Sequence, residues 1–237
     1  MGDGHRSAHP HMAKDPALIV DRKFVLKSIA PWRLKGQGIL LIFKFSRDWV
    51  ERKGHLPKHL KDKFKGGLGL ILLANYGDTP VGSFRELLFI PGKFRKTRKH
   101  AITTTITDTT VSAQNGLANW GIPKEVLPFD WETHPHYDRV SVIRDGSPIF
   151  SAEFETIGLK FPFSTAFFPL RICQTCNKMK YFTRLSGSGW GKIAKVKSLE
   201  VNPTYFPDIR GITPLLAIKI NSLLMRFPEP TYRNDLI

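Results

Sequence analysis

The chain has 237 residues and a mass of 26.9 kDa, with 36 Lys and Arg against 20 Asp and Glu, a formal charge of +16. Its length and 41% hydrophobic content fill a real core and exclude a wholly disordered tail protein. No apolar run reaches the roughly 18–20 residues that span a bilayer, and no signal-peptide h-region opens the chain. With two cysteines there is no disulfide framework, so a cytoplasmic protein without a transmembrane segment is expected.

In chain order, residues 1–16 carry His5, His9 and His11 with little apolar content and read as a flexible leader. The rest, 17–237, reads as one domain without internal repeat or linker. Apolar runs of period two predict strands at Gly38–Phe45, Leu68–Asn75, Phe84–Ile90 and Ala101–Thr107. Further strands are predicted at Arg139–Arg144, Pro148–Ile157, Met179–Leu185 and Lys192–Val201. Asp145-Gly146 marks a hairpin, and Ser186-Gly187-Ser188-Gly189 a second turn. Ser46 caps a short helix ending near Gly54. Ser112 is expected to cap Ala113–Trp120, with Gly121 just past its end and Pro123 beyond. The tail 214–227 fits a helix through Leu216, Ile220, Leu223, Leu224 and Phe227, and a strand through alternation at Leu216 and Ile218. Many short strands and few helices predict a mainly β barrel or sandwich.

The charge is uneven. Arg22 to Lys65 holds 13 bases and three acids, Lys93 to Lys99 five bases in seven residues, and Lys160 to Leu199 eight bases and no acid. Between Asp108 and Glu155 the balance reverses to eight acids against three bases. A chain devoted to neutralising phosphates has no evident reason to spare that stretch.

Two residues stand out chemically. Glu86 shares one face of the strand Phe84–Ile90 with Phe84, Leu88 and Ile90, an apolar setting in which a carboxylate needs a partner, hydration or a proton. On pattern alone, the commoner outcome is an edge-strand glutamate in solvent. Lys124 follows the rigid turn Trp120-Gly121-Ile122-Pro123, whose apolar surroundings favour a neutral, nucleophilic amine able to form a Schiff base. A given lysine is nonetheless far more often a solvated surface charge.

Three ordered blocks, Tyr76 to Glu86 (YGDTPVGSFRE), Trp120 to Lys124 (WGIPK) and Leu199 to Asp208 (LEVNPTYFPD), resemble the acetoacetate decarboxylase-like superfamily across about Pro31 to Pro230. The resemblance implies an antiparallel, cone-shaped β-barrel enclosing an apolar cavity. It also implies Lys124 as the Schiff-base lysine toward a keto acid and Glu86 as an active-site glutamate. No cofactor and no metal are implied, and a homo-oligomer is left open. There are three departures. The family's second lysine, which activates the first as a neighbouring cation, is Glu125 here. A further family glutamate aligns with Ile71, and a substrate-binding arginine with Gln37. A Schiff-base reaction of aldol, dehydratase or hydrolytic type therefore fits better than acetoacetate decarboxylation.

Other motifs carry less. Cys173 and Cys176 form one CxxC without further ligands in spacing, preceded by Phe167 and Phe168 as packed wall. His134 and His136 beside Glu132 and Asp138 read as a solvated loop, as does the basic run Arg95 to Lys99. Nucleic-acid-reading motifs are missing, so no specific nucleic-acid partner is expected. The first reading is thus a Schiff-base carbon–carbon lyase acting on a small-molecule carbonyl compound. The alternatives are a non-catalytic barrel holding an apolar ligand, and a basic binder of polyanions or membrane surfaces.

Overall fold

A computed structural model describes residues 28–167 and 169–234; the leader at 1–16, Phe168 and the side chain of Phe167 lie outside the described residues. Strands dominate. The first half carries β1 (Trp32–Phe43), α1 (Arg47–Lys53), β2 (Phe64–Gly66), β3 (Gly69–Asp78), β4 (Phe84–Ile90), β5 (Lys93–Phe94), β6 (Thr104–Thr107) and α2 (Thr110–Trp120). The second half carries β7 (Glu125–Val126), β8 (Phe129–Thr133), β9 (Tyr137–Arg144), β10 (Ser147–Ser164), β11 (Leu170–Cys176), β12 (Met179–Val201), β13 (Leu216–Phe227) and β14 (Thr231–Asn234).

Twelve of these strands form one sheet in the order β7-β6-β4-β3-β1-β13-β12-β10-β9-β8, with β11 and β14 paired to β12. Neighbours are antiparallel except β6 and β7. The two end strands are consecutive in the chain, separated by Leu127 and Pro128 alone. The Leu127 N–H donates to the Thr107 carbonyl (2.9 Å), while the Pro128 carbonyl accepts from the Ile143 N–H (2.9 Å). One short segment therefore switches from one end of the sheet to the other.

Alternation along the strands splits the apolar side chains into two cores. One gathers Ile39, Leu41, Ile71, Leu73, Leu87, Phe89, Val140 and Phe154. The other lies on the opposite face, around Leu72, Tyr76, Phe84, Leu88, Leu223 and Phe227, under Trp120 of α2. Strand β4 is buried on both sides, which explains why both of its faces are apolar.

Several local expectations hold, including β4, the Asp145-Gly146 hairpin between β9 and β10, and the Ser46 cap, whose hydroxyl accepts from the Trp49 N–H. Others need correction. The Ser186–Gly189 segment is no turn but lies within the 23-residue strand β12. Glycine is needed there for close approach, since a Cβ at Gly189 meets the Ser222 carbonyl of β13. The ambiguous tail is strand β13, held in register between β1 and β12. Strand β1 starts at Trp32, ahead of the expected Gly38, because an irregularity at Gly36/Gly38 lets pairing continue past those glycines. The cap of α2 is Thr109 rather than Ser112, the Thr109 hydroxyl accepting from the Ser112 N–H at 3.3 Å.

Candidate active site

Glu86 pairs with Ala74 of β3 on one side and Thr107 of β6 on the other, so β4 is an interior strand. Its carboxylate is buried, with a residue exposure of 2%, which overturns the solvated edge position expected from pattern. Thr107 pairs in turn with Val126 of β7, and Lys124 immediately precedes that strand. The ladder thus brings the lysine across β6 to the glutamate.

Helix α2 sets the lysine's approach. It ends on Gly121 in the left-handed region (φ 63°), whose N–H donates to the Leu117 carbonyl at 2.9 Å. Ile122 is then buried, and Pro123 leads directly into Lys124. Ser112, Asn115, Gly116 and Asn119 recur at i, i+3, i+4 and i+7, and all four are buried. A helix burying polar and small residues must satisfy them, and this one does. Asn115 Oδ1 accepts from the Ser28 N–H (3.1 Å), and Asn119 Oδ1 from the Ala30 N–H (3.0 Å), which fastens residues 28–30 over the site. Ser112 Oγ accepts from Lys124 Nζ at 3.1 Å. A Cβ on Gly116 would lie 2.6 Å from Lys124 Cε, so glycine leaves the room that the lysine stem fills.

Lys124 Nζ lies 2.6 Å from Glu86 Oε1, with side-chain exposures of 7% and 3%. The solvated lysine expected from base rates is therefore a buried ion-pair partner. The Phe84 ring stands 5.2 Å from Nζ and adds a cation–π contact. Tyr76, ring to ring with Phe84 at 5.1 Å, has a buried hydroxyl without a hydrogen-bond partner among the described residues. Burial, then the Glu86 charge, holds that phenol well above its ordinary range. The sequence reading missed Tyr76, Ser112 and Gly116 as site residues. For the helix pair, the signal was present as a polar and small stripe at helical spacing.

The three departing positions sit elsewhere. Glu125 pairs with Arg144 and is 45% exposed, so its anion turns away from the buried pair. Ile71 belongs to the core on the opposite face from Glu86. Gln37 donates to Thr133 Oγ1 at 3.4 Å, and Thr133 donates to Asp138 at 2.8 Å. Asp138 also accepts from a second buried lysine, Lys219, at 2.5 Å. Burial holds the Lys219 ammonium below the ordinary lysine value, against the opposing pull of Asp138.

Cys173, which is buried, and Cys176, half-buried, lie on β11, which turns directly into β12. His134 stacks on Tyr137 and lies 3.6 Å from Glu132, while Asp138 is buried with Lys219 and unavailable to the histidines. Among the described residues no cluster of three or more His, Cys, Asp or Glu side chains is set to hold a metal. On the Glu86 face of the sheet, a cavity of about 600 Å³ is walled by Leu72, Leu88, Ile220, Leu223, Met225 and Phe227. Leu88 is the next residue after Glu86 on that face, but neither Glu86 nor Lys124 lines the cavity.

The chain has an acetoacetate decarboxylase-like fold. Acetoacetate decarboxylase from Legionella pneumophila superposes with a TM-score of 0.69 at 11% identity, covering 98% of this chain and 99% of that one. The enduracididine biosynthesis enzyme MppR, solved in complex with pyruvate, matches with a TM-score of 0.61 at 13% identity over 89% of this chain and 93% of its own. An acetoacetate decarboxylase-like enzyme from Sphingomonas wittichii RW1 matches with a TM-score of 0.57 at 11% identity over 89% and 96%. No protein-family model matches the sequence, and no curated protein matches it. At these identities the likeness defines the fold, and the chemistry rests on the residues of this chain.

Proposed function

We propose that the chain is a Schiff-base-forming lyase acting on a keto acid or related carbonyl compound, with Lys124 as nucleophile and Glu86 as its proton partner. The observation that carries this reading is the buried 2.6 Å contact between Lys124 Nζ and Glu86 Oε1. At that distance a proton passes from the ammonium to the carboxylate and frees the nitrogen lone pair. The lone pair adds to the carbonyl carbon, the carbonyl π electrons move to oxygen, and that oxygen takes the proton back. Loss of water from the carbinolamine, with proton return through Glu86, leaves an iminium on Lys124.

The iminium is the electron sink. It accepts the pair from the adjacent C–H or C–C bond and becomes an enamine, while Glu86 takes up the proton of a C–H step. With a 3-keto acid the departing group is CO₂; with other carbonyl compounds the enamine serves aldol or dehydration chemistry. Phe84 and the helix cover exclude water from the imine, and the unpartnered Tyr76 hydroxyl supplies a donor for a substrate oxygen. With Glu125 in place of a second cation, proton transfer to Glu86 is what frees the amine.

This reading includes a sheet closed as a cone-shaped barrel, supported by the consecutive end strands β7 and β8. It also includes one domain over 17–237 and a reducing cytoplasm as the compartment. Borohydride trapping with a panel of keto acids and enals, followed by peptide mapping, tests the chemistry. An adduct at Lys124 is expected; no adduct, or one at Lys219, overturns the reading.

A further inference from the structure

The 600 Å³ cavity lies within the range of about 300–1,000 Å³ typical of ligand pockets and has a dry end and a wet end. At the dry end Leu88, Leu223 and Phe227 are buried. At the other end β1 brings Ile42 beside Leu70 and Leu216, and Leu215 next to it is 64% exposed. Lys93 and His100 line this wet end.

His100 also lines a second pocket of about 180 Å³, whose wall carries His59, Lys63, Lys96, Lys99 and Lys180 and, among the described residues, no carboxylate. Lys63 Nζ donates to the His59 carbonyl at 2.5 Å, and Lys99 Nζ stands 5.6 Å over the Phe182 ring. Lys96 has no ion-pair partner among the described residues, and Arg95 and Arg98 add charge nearby. The ammonium groups of Lys63, Lys96 and Lys99 around so small a space repel one another and favour a bound anion of more than one charge.

We propose that the two pockets form one site for an amphiphile, a single hydrocarbon chain in the apolar cavity and a phosphate-ester headgroup among Lys63, Lys96 and Lys99. Each part supplies what the other lacks. The apolar cavity offers no charge partner for a headgroup at its dry end, and the basic pocket is too small for a chain. A phosphate carries nearly two charges and several acceptor oxygens, a closer match to several lysines than a carboxylate with one charge. The site uses neither Lys124 nor imine chemistry, so it goes beyond the proposed reaction.

The test is calorimetric titration of the full chain with dodecyl phosphate, dodecanoate and dodecanol, each below its micelle-forming concentration. None of these probes has a ketone or aldehyde carbonyl, so binding cannot arise from a Schiff base, and failure here leaves the lysine chemistry untouched. Dodecyl phosphate is expected to bind at least about tenfold more tightly than dodecanol, with the margin shrinking as salt rises. Each methylene removed from the chain weakens binding roughly fourfold. The paired changes Lys96→Gln and Lys99→Gln remove the phosphate preference and keep dodecanol affinity. Equal binding of dodecyl phosphate and dodecanol, or independence from chain length, overturns the proposal. Lauroyl lysophosphatidate and lauroyl-coenzyme A then identify the source of the phosphate ester: the tighter of the two is the headgroup the site takes, and both binding no better than dodecanol overturns it.

Discussion

Lys124 and Glu86 form a buried ion pair of 2.6 Å, joined by a hydrogen bond from the same ammonium to Ser112. Each charge is tolerated in the apolar layer because the other is present. Lys124→Met alone therefore leaves a buried unpaired carboxylate and is expected to cost about 3–5 kcal/mol. Lys124→Met combined with Glu86→Leu should return stability to within about 1 kcal/mol of the parent, since both desolvation costs vanish together. Urea unfolding of the four proteins in this cycle measures the coupling. Additive losses would show that the two charges do not depend on one another.

Glu86→Gln keeps the shape of the side chain and removes its ability to take a proton. Imine formation at Lys124 is expected to slow by roughly 100- to 10,000-fold while the near-ultraviolet circular dichroism stays that of the parent. The rate of borohydride-trapped adduct at saturating ketone reports this directly. An unchanged rate assigns Glu86 a structural role only.

Gly116→Ala pits helix propensity against the site. Alanine favours the helix by up to about 1 kcal/mol, yet its Cβ would lie 2.6 Å from Lys124 Cε. The flexible end of the lysine yields first, so trapping at Lys124 should fall at least about tenfold, a loss of roughly 1.4 kcal/mol in transition-state positioning. The melting temperature should change little. A large drop in melting temperature with trapping preserved would place the strain in the helix instead.

Glu125→Gln tests the departure from the family pattern. Glu125 faces Arg144 at the surface, where such pairs are worth about 0–1 kcal/mol. Stability should change by no more than that, and the pH profile of trapping at Lys124 should not move. A shifted profile would mean that the Glu125 charge is felt at the buried amine.

Asp208 accepts from Arg210 Nε at 2.7 Å and from Lys53 Nζ at 3.1 Å, and Arg210 before all others holds its carboxyl far below the ordinary value of about 3.8. A carboxylate depressed in the folded state contributes stability above its unfolded value and loses it as pH falls toward the folded one. Asp208→Asn should therefore destabilise the protein at pH 7. The gap between parent and variant should narrow progressively below pH 3.8. A gap constant from pH 7 to pH 2.5 would mean that packing, not charge, is what the substitution removes.

Read from local signals alone, the sequence determined the strand Phe84–Ile90, the Ser46 cap, the Asp145-Gly146 hairpin, the helix stop at Gly121 and the mainly β class. Each depends on residues a few positions apart, so propensity and period suffice. Lys124 and Glu86 stood out as a lysine after a rigid turn and a lone carboxylate on an apolar strand face, but pattern alone favoured solvent for both, and only the resemblance to the acetoacetate decarboxylase-like superfamily named them together.

Only the tertiary structure decided what surrounds them. Burial of Glu86 follows from β4 lying between β3 and β6, and the lysine arrives through the register of β6 with β7. The same long-range pairing straightened the Ser186–Gly189 glycines into β12, turned Glu125 outward to Arg144, and sent Ile71 into the opposite core. Solvation, ion pairing and the side of a sheet are properties of strands distant in sequence, and a period of two says which residues share a face without saying what that face meets. The basic charge shows the same division: its size is a matter of composition, while the gathering of Lys63, Lys96 and Lys99 around one small pocket is a matter of folding.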